Sequence, residues 1–354
     1  MIAFLRHTWV RAALLVAAAC GVGLLFYLRG PNWGEVGHAF ASVEWRWVAV
    51  AVGLNLLSVL MRAVAWRTVI RQAMPPPHPS FSLVFSAFSV GLFANAVLPG
   101  RIGELARVAV LSRRLPEQES PWATLIGTVF AHRIFDLIAA MALIVFVLLT
   151  AHIPDWAVTS LIVVVVAGVG LFSVAFFSAR QHQFSDLGGL TALRRLVRLG
   201  RHGLGVMRDP LQSAIACLFQ LLGWTCQLFA VWTAMRAFHI YKPVPAAGLV
   251  LVLMNVATLF PLWPGNVGLL QAAIAIPLNT YYNVTRSVGV AFGFGLQAIE
   301  ASVGVGVGTL FLAREGLSLA MLKVMPEATQ AEVPERDGEA PERDVEPARA
   351  RLSR

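Results

Sequence analysis

Charge is what this sequence most lacks. Only 13% of its 354 residues are Asp, Glu, Lys or Arg, where a soluble domain carries about 25%. Apolar runs fill the deficit: 57% of residues are hydrophobic and mean hydropathy is +0.70. That excludes a soluble globular chain and indicates a polytopic membrane protein. Lysine is scarcer still. Lys242 and Lys323 are the only two, a bias that a GC-rich genome produces, and Arg serves the positive-inside rule equally well. The three cysteines, Cys20, Cys217 and Cys226, all sit in apolar runs. Cys217 and Cys226 are too far apart for a metal pair on one helix turn, so neither a disulfide framework nor a metal site is expected. Catalytic signatures are missing too. There is no G-x-S-x-G, no P-loop and no H-E-x-x-H, and no extramembrane stretch is long enough for a soluble catalytic domain. No enzymatic activity and no cofactor are expected. A nucleic-acid partner is not expected either, because no basic folded domain stands outside the membrane.

What is present is a series of apolar runs: Val10 to Leu28, Trp45 to about Trp66, Phe81 to Leu98, Trp122 to Thr150, Trp156 to Phe177, Leu211 to about Met235, Ala246 to Leu262 and Val288 to Leu312. The first continues past Cys20, so it reads as an uncleaved signal-anchor helix rather than a lipoprotein leader. Asn32 to Glu44 reads as an interfacial helix. Of 28 bases and 19 acids, the tail from Glu327 holds 5 and 8, leaving 23 and 11 in the body. That excess fits cytoplasmic loops facing anionic head groups.

Two stretches read alike: Leu98-Pro99-Gly100-Arg101-Ile102-Gly103-Glu104 and Trp263-Pro264-Gly265-Asn266-Val267-Gly268-Leu269. Each P-G-x-x-G knot closes one apolar segment and opens a short one, and no helix passes smoothly through it. If both knots turn the chain back, 81–112 and 246–280 are re-entrant hairpins. Then 15 of the 23 body bases, Arg62 among them, fall on one side and 5 on the other. This puts both termini and the Arg-rich loop 178–210 in the cytoplasm. Three crossings separate the hairpins, so they enter from opposite faces, the arrangement of an inverted repeat. The expected fold is therefore all-α, with about six full spanning helices plus two re-entrant helical hairpins. Residues 1–323 form the membrane domain and 324–354 a disordered cytoplasmic tail.

Broken helices in hydrocarbon must lie within protein or line a wet cavity, and a helix starting after each knot points amides at an anion. Arg101, Glu104 and Arg107 share one flank, and Glu104 can pair with either Arg. They read as an Arg-lined head-group pocket or as a solvated ion pair at a helix end. In the run from Trp122, Asp136 can meet His132 or Arg133, as part of a pathway or as a structural ion pair. Glu300, with Gln297 one turn earlier, needs a partner, and Arg133 or Arg101 are candidates. Asn55 and Asn255 suggest inter-helix hydrogen bonds, and Gly304 with Gly308 close helix packing.

At these residues the chain resembles the transmembrane, flippase-like domain of lysylphosphatidylglycerol synthases and its stand-alone relatives. The first block is Asn95, Leu98 to Glu104, and Arg107. The second is Pro261, Pro264-Gly265-Asn266-Val267-Gly268 and Gln271. A mid-helix E-R-x-x-D block matches Arg133 and Asp136, with His132 where Glu is usual. The resemblance covers nearly the whole chain to about residue 320. It implies translocation of a lipid or lipid-linked substrate, and no aminoacyl transfer, since the soluble transferase domain is absent.

The favoured expectation is an inner-membrane flippase or flippase-like transporter. Its head-group site would comprise Asn95, Gly100, Arg101, Gly103, Glu104, Arg107, Arg133, Asp136, Gly265, Asn266, Gly268, Gln271 and Glu300. Its partners would be membrane lipids or a polyprenyl-linked lipid. The alternative is a scaffold for a membrane or peripheral glycosyltransferase or lipid synthase. An embedded enzyme acting on a polyprenyl-phosphate ranks last, because the spacing offers no metal-binding constellation.

Overall fold

The computed structural model describes residues 30–98, 102–115, 121–151, 209–259 and 266–314, with the single positions 159, 162, 166 and 170. The described residues form helices and no strands. In chain order these are α1 (Trp33–Ala41), α2 (Trp45–Ala73), α3 (Phe81–Val97), α4 (Gly103–Ser112), α5 (Pro121–Thr150), α6 (Pro210–Ala237), α7 (Val244–Leu259), α8 (Leu269–Tyr282) and α9 (Arg286–Arg314).

Four of these, α2, α5, α6 and α9, are long and apolar enough to cross a membrane. A helix of 28 to 30 residues spans about 42–45 Å at 1.5 Å per residue, against a hydrocarbon core of about 30 Å. Against the expected six, the remaining two runs, Val10 to Leu28 and Trp156 to Phe177, lie outside the described residues. Only positions 159, 162, 166 and 170 of the second are described, and they are helical. The tail 324–354 and nearly all of the loop 178–210 also lie outside them.

Local chemistry sets the helix ends. Asn32 caps α1 by accepting from the Gly34 and Glu35 amides at 3.0 and 3.4 Å. Asp209 caps α6 at Leu211 N (2.9 Å), with Pro210 in the first turn. Helix α2 runs past the expected Trp66 to Ala73. Its last turns stay helical because Trp66, Val69 and Ile70 are fully buried, and Arg67 reaches out to the Pro79 carbonyl. Pro75-Pro76-Pro77 then stops it.

Side-chain pairs fix the helix directions. Helices α2 and α6 form the most extensive pair and are antiparallel throughout: Glu44 meets Ala237, Ser58 and Arg62 meet Gln227, and Gln72 meets Asp209. Helix α5 is also antiparallel to α2, with Trp66 on Thr128 and the Arg62 carbonyl on His132. So α5 and α6 run parallel, and the chain between Ala151 and Asp209 starts at one end of the bundle and finishes at the other.

Helix α4 folds back along α3. A Cβ added to Gly91 would lie 2.8 Å from the Gly103 carbonyl and 3.2 Å from Arg107 Cβ, so the pair approaches closely only because both facing positions are glycine. The pair packs on the C-terminal half of α9, through Gly308 on Ser89 and Phe93 and through Phe85 on Phe311. Helix α8 packs antiparallel on the N-terminal half of α9, Ala275 against Gly289 and Gln271 against Gly293. Two apolar cores result. One gathers α3, α4 and most of α2, and the other α7, α8 and most of α6. They divide on α9 between Ile299 and Val303.

Candidate functional site

The polar side chains of the interior gather at that seam. Glu300 is the middle residue of α9 and sits between the two cores. The ends of α3 and α8 approach it from opposite directions. Helix α3 continues five residues past Phe93 to Leu98, about 7 Å, which brings its end to the level of Val303. At the other tip Gln271 donates to Gln297 Oε1 at 2.8 Å.

The first tip is held by Asn95, whose Oδ1 accepts the Gly103 amide at 2.8 Å. This satisfies one of the amides that a helix start leaves unpaired. A Cβ on Gly103 would collide with the Gly91 carbonyl and the Asn95 side chain, so only glycine allows this turn. The second tip needs unusual backbone: Asn266 has φ +44° and Gly268 φ +91°. Asn266 donates to the Ala257 carbonyl at 3.1 Å. The fully buried Gln271 accepts the Gly268 amide at 2.6 Å, capping α8 from inside.

Between the tips, Glu104 of α4 forms an ion pair with Arg133 of α5. Arg133 also donates to Asp136 at 2.8 Å. Asp136 Oδ1 accepts from Gln220 Nε2 at 2.5 Å and Trp224 Nε1 at 2.8 Å. The carboxylate thus has three donors on two helices, the satisfaction an ion needs away from water. Arg62 donates to Gln227 Oε1 at 2.8 Å, and Gln227 donates to Glu300 at 3.1 Å. The Arg62 guanidinium lies 5.0 Å over the Trp224 ring. Asn95 and Asn255 are exposed at this level, and the Arg133 side chain is 48% exposed. An open guanidinium halfway along a spanning helix is costly in hydrocarbon, about 3 kcal/mol on insertion scales, so its surroundings are polar or wet.

Several expected pairings differ. Glu104 takes Arg133, a stronger partner across helices than Arg107 on its own helix, because Arg107 turns into the apolar core beneath Trp66 and Phe88. Asp136 does take Arg133, one of its two expected partners, while the other, His132, faces the Arg62 carbonyl. Glu300 is reached by Gln227, not Arg133. Asn255 bonds the Leu251 carbonyl of its own helix. Gly308 packs tightly, while Gly304 faces open space.

Of the expected site residues, Glu104, Arg133 and Asp136 meet directly. Asn95, Gly103, Asn266, Gly268 and Gln271 build the two turns, Glu300 lies between them, and Arg107 sits apart. Gly100, Arg101 and Gly265 lie outside the described residues. Sequence reasoning missed Arg62, counted with the cytoplasmic bases, and Gln220, Trp224 and Gln227. The spacing of Gln220, Gly223, Trp224 and Gln227 on one helix face was the available signal.

A search of curated proteins and a search of solved structures each gave no match. A family profile, that of the lysylphosphatidylglycerol synthase TM region, matches residues 10–308. It takes in both knots, the seam and every long helix described above except the last turns of α9, and the chain belongs to that family.

Proposed function

We propose that the chain is a flippase for a lipid or lipid-linked substrate in the bacterial inner membrane, and not an enzyme. Helices α3–α4 and α7–α8 are its two re-entrant hairpins, inserted from opposite faces as an inverted repeat. With the runs from Val10 and from Trp156 there are six full spans, and both termini are cytoplasmic. What supports this reading is that the end of α3 and the start of α8, packed on opposite halves of α9, both fall at the level of Glu300, near the Glu104–Arg133–Asp136 pairing. Discontinuous helices facing a midplane site are the architecture by which many transporters alternate access. Base placement agrees. Arg67, Arg71, Arg113, Arg114 and Arg314 lie at one end of the bundle, while Arg46, Arg236, Lys242 and Arg286 lie at the other. The first end faces the cytoplasm.

In this mechanism Glu104 and Asp136 hold Arg133, and Glu300 adds negative charge, while the site is empty. An arriving anionic or zwitterionic head group competes for Arg133 and Arg101. The Glu104 link between the first hairpin and α5 then loosens, and the hairpins rock while the acyl chains stay in lipid. Vesicles reconstituted with wild-type protein should move a fluorescent phospholipid between leaflets. Arg133→Ala and Arg101→Ala should slow that movement by roughly tenfold or more, the loss of one charge-assisted contact. Equal rates in wild type and both variants would remove the head-group role.

A further inference from the structure

The end of the bundle that holds Arg46, Arg236 and Lys242 carries a polar cluster that the seam does not use. There the turn between α1 and α2 meets the turn between α6 and α7, and His239 stands between them. Its backbone is left-handed, φ +57°, a region that His enters more readily than most residues. The ring Nε2 lies 2.8 Å from the Ser42 carbonyl. Nδ1 lies 3.4 Å from Glu44 Oε1 and 3.4 Å from the Tyr241 hydroxyl, and that hydroxyl is itself 3.4 Å from Glu44 Oε1. The Glu44 amide donates to the Ala237 carbonyl at 3.0 Å, so the two turns also meet through backbone. Arg46 takes the other carboxylate oxygen, Nε to Oε2 at 2.7 Å. That bond is the main reason the Glu44 carboxyl sits below its ordinary range, and the charge of His239 pulls the same way. Glu44 is therefore a carboxylate above about pH 5. Among the described residues no other charged side chain touches the ring. Arg236 reaches only as far as Tyr241, its guanidinium 5.9 Å from that ring's centroid. The His239 side chain is 43% exposed, so it exchanges protons with the medium.

A carbonyl only accepts, so Nε2 carries a proton in both charge states of the ring. What changes is Nδ1. In the neutral imidazole it is a bare acceptor facing a carboxylate oxygen, and the single Tyr241 hydroxyl hydrogen has to serve both. In the imidazolium it is a donor, and Glu44 Oε1 accepts from Nδ1 and Tyr241 together. Histidine is the side chain whose ordinary charge change falls between pH 5 and 8. We infer that His239 is a pH-sensitive latch: in acid it donates to Ser42 and Glu44 at once and locks the α1–α2 turn to the α6–α7 turn, and as the pH rises it loses the second bond and the lock loosens. The latch restrains the base of α7. That helix starts at Val244, and the Lys242 carbonyl just before it is held by Trp232 Nε1 at 3.1 Å. In the flippase proposed above, α7 and α8 rock as a hairpin, so a locked base slows them and acid outside the cell slows lipid movement. This regulatory role rests on the flippase reading. The latch itself does not.

The test reads the unfolding temperature of the full chain in detergent from about pH 5 to about pH 8. Wild type is compared with His239→Asn, which accepts left-handed backbone and does not change charge, and with Glu44→Gln, which removes the carboxylate. The other histidines titrate in all three proteins and cancel in the differences. The margin of wild type over each variant should be about 1–3 °C larger at the acid end than at the alkaline end, the worth of an exposed ion pair. The double variant should lose no more pH dependence than either single one, because both residues act through one bond. A margin that is flat across this range, or that grows as the pH rises, would overturn the latch. If His239→Asn does not fold, Glu44→Gln against wild type decides by the same criterion. In vesicles, wild type should move the fluorescent phospholipid roughly two- to fivefold more slowly in acid than in mild alkali, and His239→Asn should lose that dependence. A pH-dependent margin with equal lipid movement at both ends would keep the latch and remove its regulatory role. No lipid movement at any pH would remove the flippase reading and leave the latch standing.

Discussion

Asp136 shows how the interior tolerates charge. It is anchored by Arg133 on its own helix and by Gln220 and Trp224 on α6. Asp136→Ala leaves the Gln220 and Trp224 donors without their acceptor while Arg133 keeps Glu104, and we expect a loss of about 1–3 kcal/mol for each stranded donor. Asp136→Asn keeps the shape and one acceptor and should lose about 1–3 kcal/mol. Reversible unfolding of the purified protein measures both, and equal losses would mean that the charge itself does little. Arg133 and Asp136 were visible in the sequence because charges stand out in an apolar run. Arg62 was hidden by its company. It precedes Arg67 and Arg71, which leave the bundle, while it turns inward to Gln227. Gln220 and Gln227 carry no charge, so hydropathy does not flag them, although they supply the amides that reach Asp136 and Glu300.

The helix breaks are legible in the sequence because Pro and Gly act on the backbone wherever the chain goes. The P-G-x-x-G knots fall between α3 and α4 and between α7 and α8. What the knots do not encode is how closely the arms approach, which the far glycines decide. Gly308→Ala would press a methyl into Phe93 and the Ser89 carbonyl, whereas Gly304 has no atom within 4 Å of an added Cβ. We expect Gly308→Ala to destabilise by about 1–3 kcal/mol, as overpacking does. Gly304→Ala should be neutral or add up to about 1 kcal/mol from helix propensity. Unfolding midpoints of the two variants side by side check this. The sequence pair Gly304–Gly308 gave no hint which one packs, since that depends on which face of α9 the first hairpin occupies.

Across the whole molecule, base placement and parity implied a topology that the described helix directions accommodate: α5 parallel to α6, α3 antiparallel to α9, and α8 antiparallel to α9. In a variant freed of its native cysteines, Lys242→Cys should react with an impermeant maleimide in intact cells. Arg113→Cys should react only after the membrane is opened. Labelling of both from outside would reverse or break the assignment. The pairing of α2 with α6 has a consequence for biogenesis. The partner that receives Arg62 is Gln227, 165 residues later. A nascent chain emerging from the translocon must therefore hold a lone guanidinium in a partly built bundle until α6 is released beside it. Assembly then resembles closing a clasp after the bracelet is threaded, with a long-range contact made late and the half-made form the one exposed to quality control.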